Sequence, residues 1–180
     1  MAKYYTGRGD DGTTGIISGK RVSKADKLIE AIGDLDELNS AIGVAMSYID
    51  DQTVVAGLRS VQNDIFVLGA NLASTNEQKI DKAQIKPESL SRLEASIRDL
   101  GEKAPELKRF VLPGGSRASS HLHLARAMAR RAERSVVAAG KEYKVDKAVM
   151  AYLNRLSSYL FVAAVYLNAR DKISESHPSY

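Results

Sequence analysis

The sequence predicts an all-α fold: a five-helix bundle with ferritin-like up-and-down packing, preceded by a glycine-rich N-terminal loop. Three observations carry that expectation. Apolar residues recur at three- and four-residue spacing in five separate stretches, no stretch shows convincing strand alternation, and residues 1–22 contain Gly7, Gly9, Gly12, Gly15 and Gly19. At 180 residues the chain suffices for one domain with a proper core and falls short of two, so residues 1–180 are read as a single domain.

Between those glycines stand Thr6, Asp10, Asp11, Thr13 and Thr14, and residues 1–22 are read as loop, neither helix nor strand. The first helix is expected from Ser23, a good N-cap, with Asp26 in its first turn and Leu28, Ile32, Leu35, Leu38, Ile42 and Met46 inward, ending near Asp50. The second runs from about Thr53 to Ala73 with Val54, Leu58, Val61, Ile65 and Leu68 on its buried stripe, and Ser74 to Gln84 reads as a connection. Pro87 sits in the first turn of the third helix, which carries Leu90, Leu93, Ile97 and Leu100 and is stopped by Gly101. Next, Pro113, Gly114 and Gly115 force a turn, and the apolar Phe110, Val111 and Leu112 before them are expected to seek burial. The fourth helix spans Ser116 to Ala139, closed by Gly140. The fifth spans Val145 to about Asn168 with Leu153, Leu156, Leu160 and Val165 inward, and residues 174–180 read as a disordered, solvated tail.

Hydrophobic residues form 44% of the chain and charged residues 27%, a balance that supports a packed core and argues against disorder. The excess of 26 Lys and Arg over 22 Asp and Glu, a net +4, is too small to mark a dedicated polyanion binder. With no cysteine, disulfides, thiolate metal sites and cysteine nucleophiles are excluded. The start lacks an apolar signal core, and no later stretch approaches about 18 uninterrupted apolar residues. The expectation is a cytoplasmic protein without a membrane or nucleic-acid partner.

Chemistry concentrates in a few places. Arg126, Arg130 and Arg134 share one face of the fourth helix, with Arg131 and Glu133 among them. Like charges four residues apart repel, so the row weakens an isolated helix unless an anion lies against it; the alternative is a solvated face with ion pairs through Glu133. The glycine-rich loop offers freed backbone N–H groups and threonine hydroxyls, the components of a phosphate cradle, or else is a flexible arm. It is not a Walker A loop, because Gly19-Lys20 is followed by Arg21. Loop and arginines together favour a shared polyanion, since each charge-assisted phosphate contact is worth about 1.5–3 kcal/mol. Asp10 or Asp11 is then available to a Mg²⁺ bridging phosphate oxygens.

Gly33 to Asn39 sets Asp34, Asp36 and Glu37 in an otherwise apolar helix, where a carboxylate needs a partner, an arginine of the fourth helix being the obvious one. Asn154 stands among core residues of the fifth helix, either bonding a ribose or phosphate or satisfied within the core. His121 and His123, two apart, face differently and do not form a two-histidine zinc site. His177 has no expected role. Phe110 is either plain packing or a ring at a pocket mouth.

These segments resemble the PduO-type ATP:cob(I)alamin adenosyltransferases over nearly the whole chain to about residue 170. The matching segments are Tyr5-Thr6, Gly9 to Gly15, Gly33 to Ser40, Phe110 to Ser116, Leu124 to Arg126, Arg130 to Arg134 and Tyr152 to Ser157. The resemblance implies a homotrimer that binds ATP between the loop of one subunit and the arginine helix of its neighbour. It places Thr6, Gly7, Arg8, Gly9, Asp10, Thr14, Gly15, Lys24, Arg130, Arg131, Glu133, Arg134 and Asn154 at ATP. It makes Asp36 and Arg126 a salt bridge across the subunit boundary, Arg130 important for catalysis, and Phe110 the aromatic residue facing the corrin that helps displace the lower cobalt ligand. Gly7 departs from the family's usual Lys or Arg, with Arg8 as the adjacent charge, and Ser158 stands where an Asp commonly follows Leu-Ser.

By that resemblance, cobalt(I) of a reduced corrinoid attacks the 5′ carbon of ATP and expels triphosphate, with Mg²⁺ bound through the phosphates. Cobalamin is the substrate and ATP the co-substrate, and the implied partners are a reductase and a cobalamin-dependent mutase or dehydratase. No protein nucleophile is needed, consistent with a chain that lacks cysteine and an evident Ser-His pairing. Competing readings are a helical module that uses the arginines to hold RNA or a nucleotide-bound partner, weakened by an aromatic content of 6%, and a corrinoid carrier that makes no bond.

Overall fold

Four of the five helices begin at a residue whose side chain accepts from a first-turn backbone N–H, and the third begins at a proline. The computed structural model describes residues 4–17, 19–74 and 84–179. Its helices are α1 (Lys27–Met46), α2 (Gln52–Ala73), α3 (Pro87–Gly101), α4 (Arg117–Ala139) and α5 (Lys147–Arg170). Asp26, Asp51, Ser116 and Asp146 each accept from a backbone N–H in the first turn of α1, α2, α4 and α5, and Pro87 opens α3.

The amphipathic periodicities converge on one core. Leu28, Leu35, Leu38 and Ile42 of α1 meet α4, whose inward positions are largely alanines, Ala125, Ala129 and Ala132, so those two helices approach closely. α4 lies between α1 and α5, α2 covers α1, α3 covers α5, and α2 and α3 meet only lightly. α5 has the length and apolarity of a membrane span, yet it is the core helix here, with Leu153, Leu156, Leu160 and Val165 all buried. One polar knot ties the outer helices together. Buried Asp64 of α2 accepts from Ser89 Oγ (2.9 Å) and Arg92 Nη2 (2.7 Å) of α3 and from Tyr152 OH (2.8 Å) of α5.

Several sequence expectations require correction. The N-terminal segment is not all loop: β1 (Thr13–Gly15) and β2 (Arg21–Ser23) pair antiparallel with Thr14 opposite Val22, and the connection turns at Gly19, φ +83°. Three-residue strands are too short to produce a readable alternation. With Ser23 in β2, its hydroxyl accepts from Ala25 N, and Asp26 becomes the cap of α1. α1 stops at Met46 rather than near Asp50, where Ser47 and Tyr48 switch to i−3 bonds. Gly101 is the last residue of α3 rather than its stop, and α5 starts after Asp146 and runs to Arg170.

The C-terminal segment is not a free tail. Ser176 O accepts from Leu112 N at 2.7 Å, Glu175 Oε1 accepts from Asn168 Nδ2 at 3.1 Å, and His177 Nδ1 lies 2.8 Å from Phe110 O. Tyr180 and most of the Ser74 to Gln84 connection lie outside the described residues.

Candidate active site

The arginine helix divides its charges between two faces. Arg131 turns to α1, where its Nε donates to Asp34 Oδ1 at 2.8 Å and its Nη2 reaches Glu37. The expectation that a fourth-helix arginine serves the acids of the first helix therefore holds for Asp34 and Glu37. Arg126 and Arg130 instead line a cleft of about 370 Å³ with Ile97, Ser157, Ser158 and Phe161. Arg134 donates to the carbonyl of Arg130 at 3.1 Å, and Glu133 accepts from Asn154 Nδ2 at 3.0 Å. Asn154, expected among core residues, is exposed and is held by Glu133 and Arg155.

Arg126 is half-buried, its Nε has no hydrogen-bond partner among the described residues, and burial followed by the charge of Arg130 lowers its pKa. The Asp36 side chain is exposed on α1, and its carboxylate makes no hydrogen bond or ion pair with any described residue. The two therefore present unmet charges of opposite sign.

A second cleft, of about 590 Å³, adjoins the first, because Arg126 and Phe161 line both. Phe110, Val111 and Pro113 form its apolar rim, with Lys108 and Arg109 nearby. Phe110 is 77% exposed and Leu112 is exposed as well, contrary to the burial expected for this segment. The backbone explains it: the turn is clamped from below, leaving the ring at the mouth of the cleft. Asn168, fully buried, accepts from Ser116 N at 3.0 Å and donates to Gly114 O at 3.1 Å. Gly115, φ +105°, leaves the space that this amide occupies.

The N-terminal loop is organised mainly by itself. Asp11 Oδ1 accepts from Thr13 Oγ1 at 2.7 Å, from Thr13 N at 2.9 Å and from Arg21 Nη2 at 3.2 Å, and the first of those bonds does most to hold its carboxyl below the usual carboxylate range. Gly7 and Gly12 take the left-handed conformation. Gly9 lies against the ammonium of Lys24, whose backbone N–H donates to Gly12 O at 2.9 Å, so Lys24 and the loop form one cationic edge. Thr6, Arg8, Asp10, Thr14 and Gly15 lie on this loop and hairpin, and no hydrogen bond or ion pair among the described residues joins it to Arg126, Arg130 or Arg134.

Sequence reasoning missed Asn168, Phe161 and His123. Asn168 marked only the expected end of the fifth helix, and Phe161 looked like ordinary apolar-helix content. His123 is 3% exposed in the wall of the larger cleft, edge-on to Phe161 with ring centroids 5.9 Å apart, and neither ring nitrogen has a partner among the described residues. Its position three residues before Arg126 on one helix was the available signal. His121, on another face, stacks on Tyr48 at 5.0 Å.

A helical bundle with two adjoining clefts, one lined by arginines and the other rimmed by an exposed aromatic ring, is suited to hold a polyanion beside an apolar surface. Residues 4–167 match the family described as cobalamin adenosyltransferase. The corrinoid adenosyltransferase of Bacillus subtilis is 44% identical over 177 residues, covering 96% of this chain and 90% of its own. Corrinoid adenosyltransferase PduO of Salmonella typhimurium is 41% identical over 174 residues, and there the chain spans only 50% of the relative's length. Among solved structures, a variant of the PduO-type ATP:corrinoid adenosyltransferase of Lactobacillus reuteri, complexed with cobalamin and ATP, superposes with TM-score 0.94 at 34% identity, covering 99% of this chain and all of that one. The chain belongs to the cobalamin adenosyltransferase family.

Proposed function

We propose that the chain transfers the 5′-deoxyadenosyl group of ATP to the cobalt of a reduced corrinoid. The cobalt(I) electron pair forms the Co–C5′ bond, the C5′–O bond breaks, and its electrons leave on inorganic triphosphate. The observation that carries this reading is the pair of adjoining clefts that share Arg126 and Phe161, one lined by arginines and the other by an exposed aromatic rim. Arg130 faces the charge that develops on the departing triphosphate, which is where fixed cations lower a barrier most. Phe110 covers the corrin face and excludes a lower ligand.

The ATP site is completed by a second copy of the chain, in a homotrimer. Thr6, Gly7, Arg8, Gly9, Asp10, Thr14, Gly15 and Lys24 from one subunit meet Arg130, Arg131, Glu133, Arg134 and Asn154 of the next, and Asp36 pairs with Arg126 across the boundary. Among the described residues no polar contact joins the loop to Arg130 within one chain, which supports this arrangement, as do the unmet charges of Asp36 and Arg126. Mg²⁺ arrives with the ATP phosphates: among the described residues no group of three acidic or histidine side chains gathers to hold an ion, and Asp11 is already engaged by Thr13 and Arg21. When bound, Mg²⁺ neutralises phosphate charge. The protein is cytoplasmic and works between a reductase and a cobalamin-dependent mutase or dehydratase.

Product analysis tests this reading. ATP consumed with chemically reduced cobalamin is recovered as intact inorganic triphosphate, one per corrinoid adenosylated; recovery as ADP and phosphate would overturn it.

A further inference from the structure

We propose that His123 positions the corrinoid by hydrogen-bonding a neutral carboxamide on the rim of the macrocycle. The inference rests on the corrin cleft assigned above. The His123 ring is almost fully removed from solvent, yet both its nitrogens lack partners among the described residues. Buried polar groups in folded proteins are nearly always hydrogen-bonded, so an orphaned ring in a cleft wall points to a partner that the ligand supplies. The contact with Phe161 at 62° fixes the ring plane from α5.

The charge state selects the partner. Burial first, and the adjacent Arg126 second, bring the pKa from the ordinary 6.5 down to about 4, so the imidazole is neutral at physiological pH. The charged groups in the cleft wall are Lys108, Arg109 and Arg126, and among the described residues no carboxylate lines it to favour the imidazolium. A neutral imidazole offers one donor and one acceptor, and a carboxamide can meet either with its carbonyl oxygen or its N–H groups. A carboxylate or phosphate offers only acceptors and is matched by the cations instead. Corrinoids carry carboxamides around the ring. Ligation of cobalt, the other thing an imidazole does with a corrinoid, would restore the lower ligand that Phe110 excludes.

The test uses the full-length enzyme with ATP and reduced cobalamin. His123→Phe raises KM for cob(I)alamin about tenfold or more, leaves KM for ATP within about twofold, and weakens cob(II)alamin binding to the ATP-bound enzyme, read by visible absorption. His123→Gln, which keeps a donor and an acceptor, restores most of the loss. An unchanged corrinoid KM in His123→Phe, or equal impairment in both variants, overturns the proposal. So does imidazole-nitrogen splitting in the cobalt(II) paramagnetic resonance spectrum of the wild type. A readout without variants is binding of cobalamin monocarboxylic acids, each with one carboxamide hydrolysed: one member binds about tenfold or more weakly, and equal binding of all members overturns the proposal. Should the wild type bind cobalamin but form no cobalt–carbon bond, the transfer reading fails while these binding measurements still decide the role of His123.

Discussion

Arg131 Nε lies 2.8 Å from Asp34 Oδ1, and Ser135 Oγ donates to the other oxygen of the same carboxylate, so α4 is fastened to α1 one residue beyond Arg130. Neighbouring arginines of one row thus do different work: Arg131 joins helices, and Arg130 faces the cleft with Arg126.

Arg131→Ala leaves the mostly buried Asp34 with Ser135 and no cation, and lowers the stability of the nucleotide-free protein by about 1–3 kcal/mol. The Arg130 side chain is exposed and makes no hydrogen bond or ion pair among the described residues, so Arg130→Ala melts within a few degrees of wild type and reduces turnover by about tenfold or more. Thermal unfolding alongside initial rates separates the two; equal melting losses would contradict the division.

Asp36 and Arg126 predict a site divided between chains. Asp36→Asn impairs assembly or activity by leaving Arg126 unpaired. Lys24→Ala and Arg130→Ala, each defective alone, regain activity when co-expressed, because a mixed oligomer contains sites with one intact loop and one intact arginine helix. Rates in the mixture no higher than in either variant would place loop and arginines in the same chain.

Gly115→Ala tests the clamp beneath Phe110. A Cβ there would come within 2.2 Å of Asn168 Oδ1, and the backbone sits at φ +105°. The substitution is expected to lose about 2–4 kcal/mol in urea unfolding, from overlap and left-handed strain together. Loss below about 0.5 kcal/mol would show that the amide moves aside easily.

His123 makes stability depend on pH. Its folded pKa, about 4, lies below its ordinary 6.5, so on acidification the unfolded chain takes up the proton first. Its contribution is whole above pH 6.5 and is lost as pH falls from 6.5 to about 4, by up to about 3 kcal/mol. Urea unfolding at about pH 7 and about pH 5 should show a smaller acid loss in His123→Phe than in wild type; identical slopes would mean that the native ring titrates normally.

The bundle was legible in the sequence because burial repeats every three or four residues: Leu28, Leu35, Leu38 and Ile42, or Leu153, Leu156 and Leu160, lie inward as the spacing requires. The paired strands were not, because Thr13–Gly15 and Arg21–Ser23 are too short to show a period. The arginine row was visible on α4, but its division at Arg131 depends on where α1 brings Asp34, a long-range fact. The C-terminal segment read as solvated because its bonds to Leu112, Phe110 and Asn168 come from partners distant in the chain. His123 shows the same limit: its place three residues before Arg126 is visible in the sequence, but the isolation of its ring is set by the surrounding fold.

The proposed function requires that this chain make a cobalt–carbon bond. Mixing it with ATP and chemically reduced cob(I)alamin and recording the visible spectrum tests that most directly. Conversion to a light-sensitive adenosylcobalamin spectrum is expected, requiring both ATP and the protein and slowing sharply in Arg130→Ala. A corrinoid spectrum that only shifts on binding, with no light-sensitive product, would contradict it.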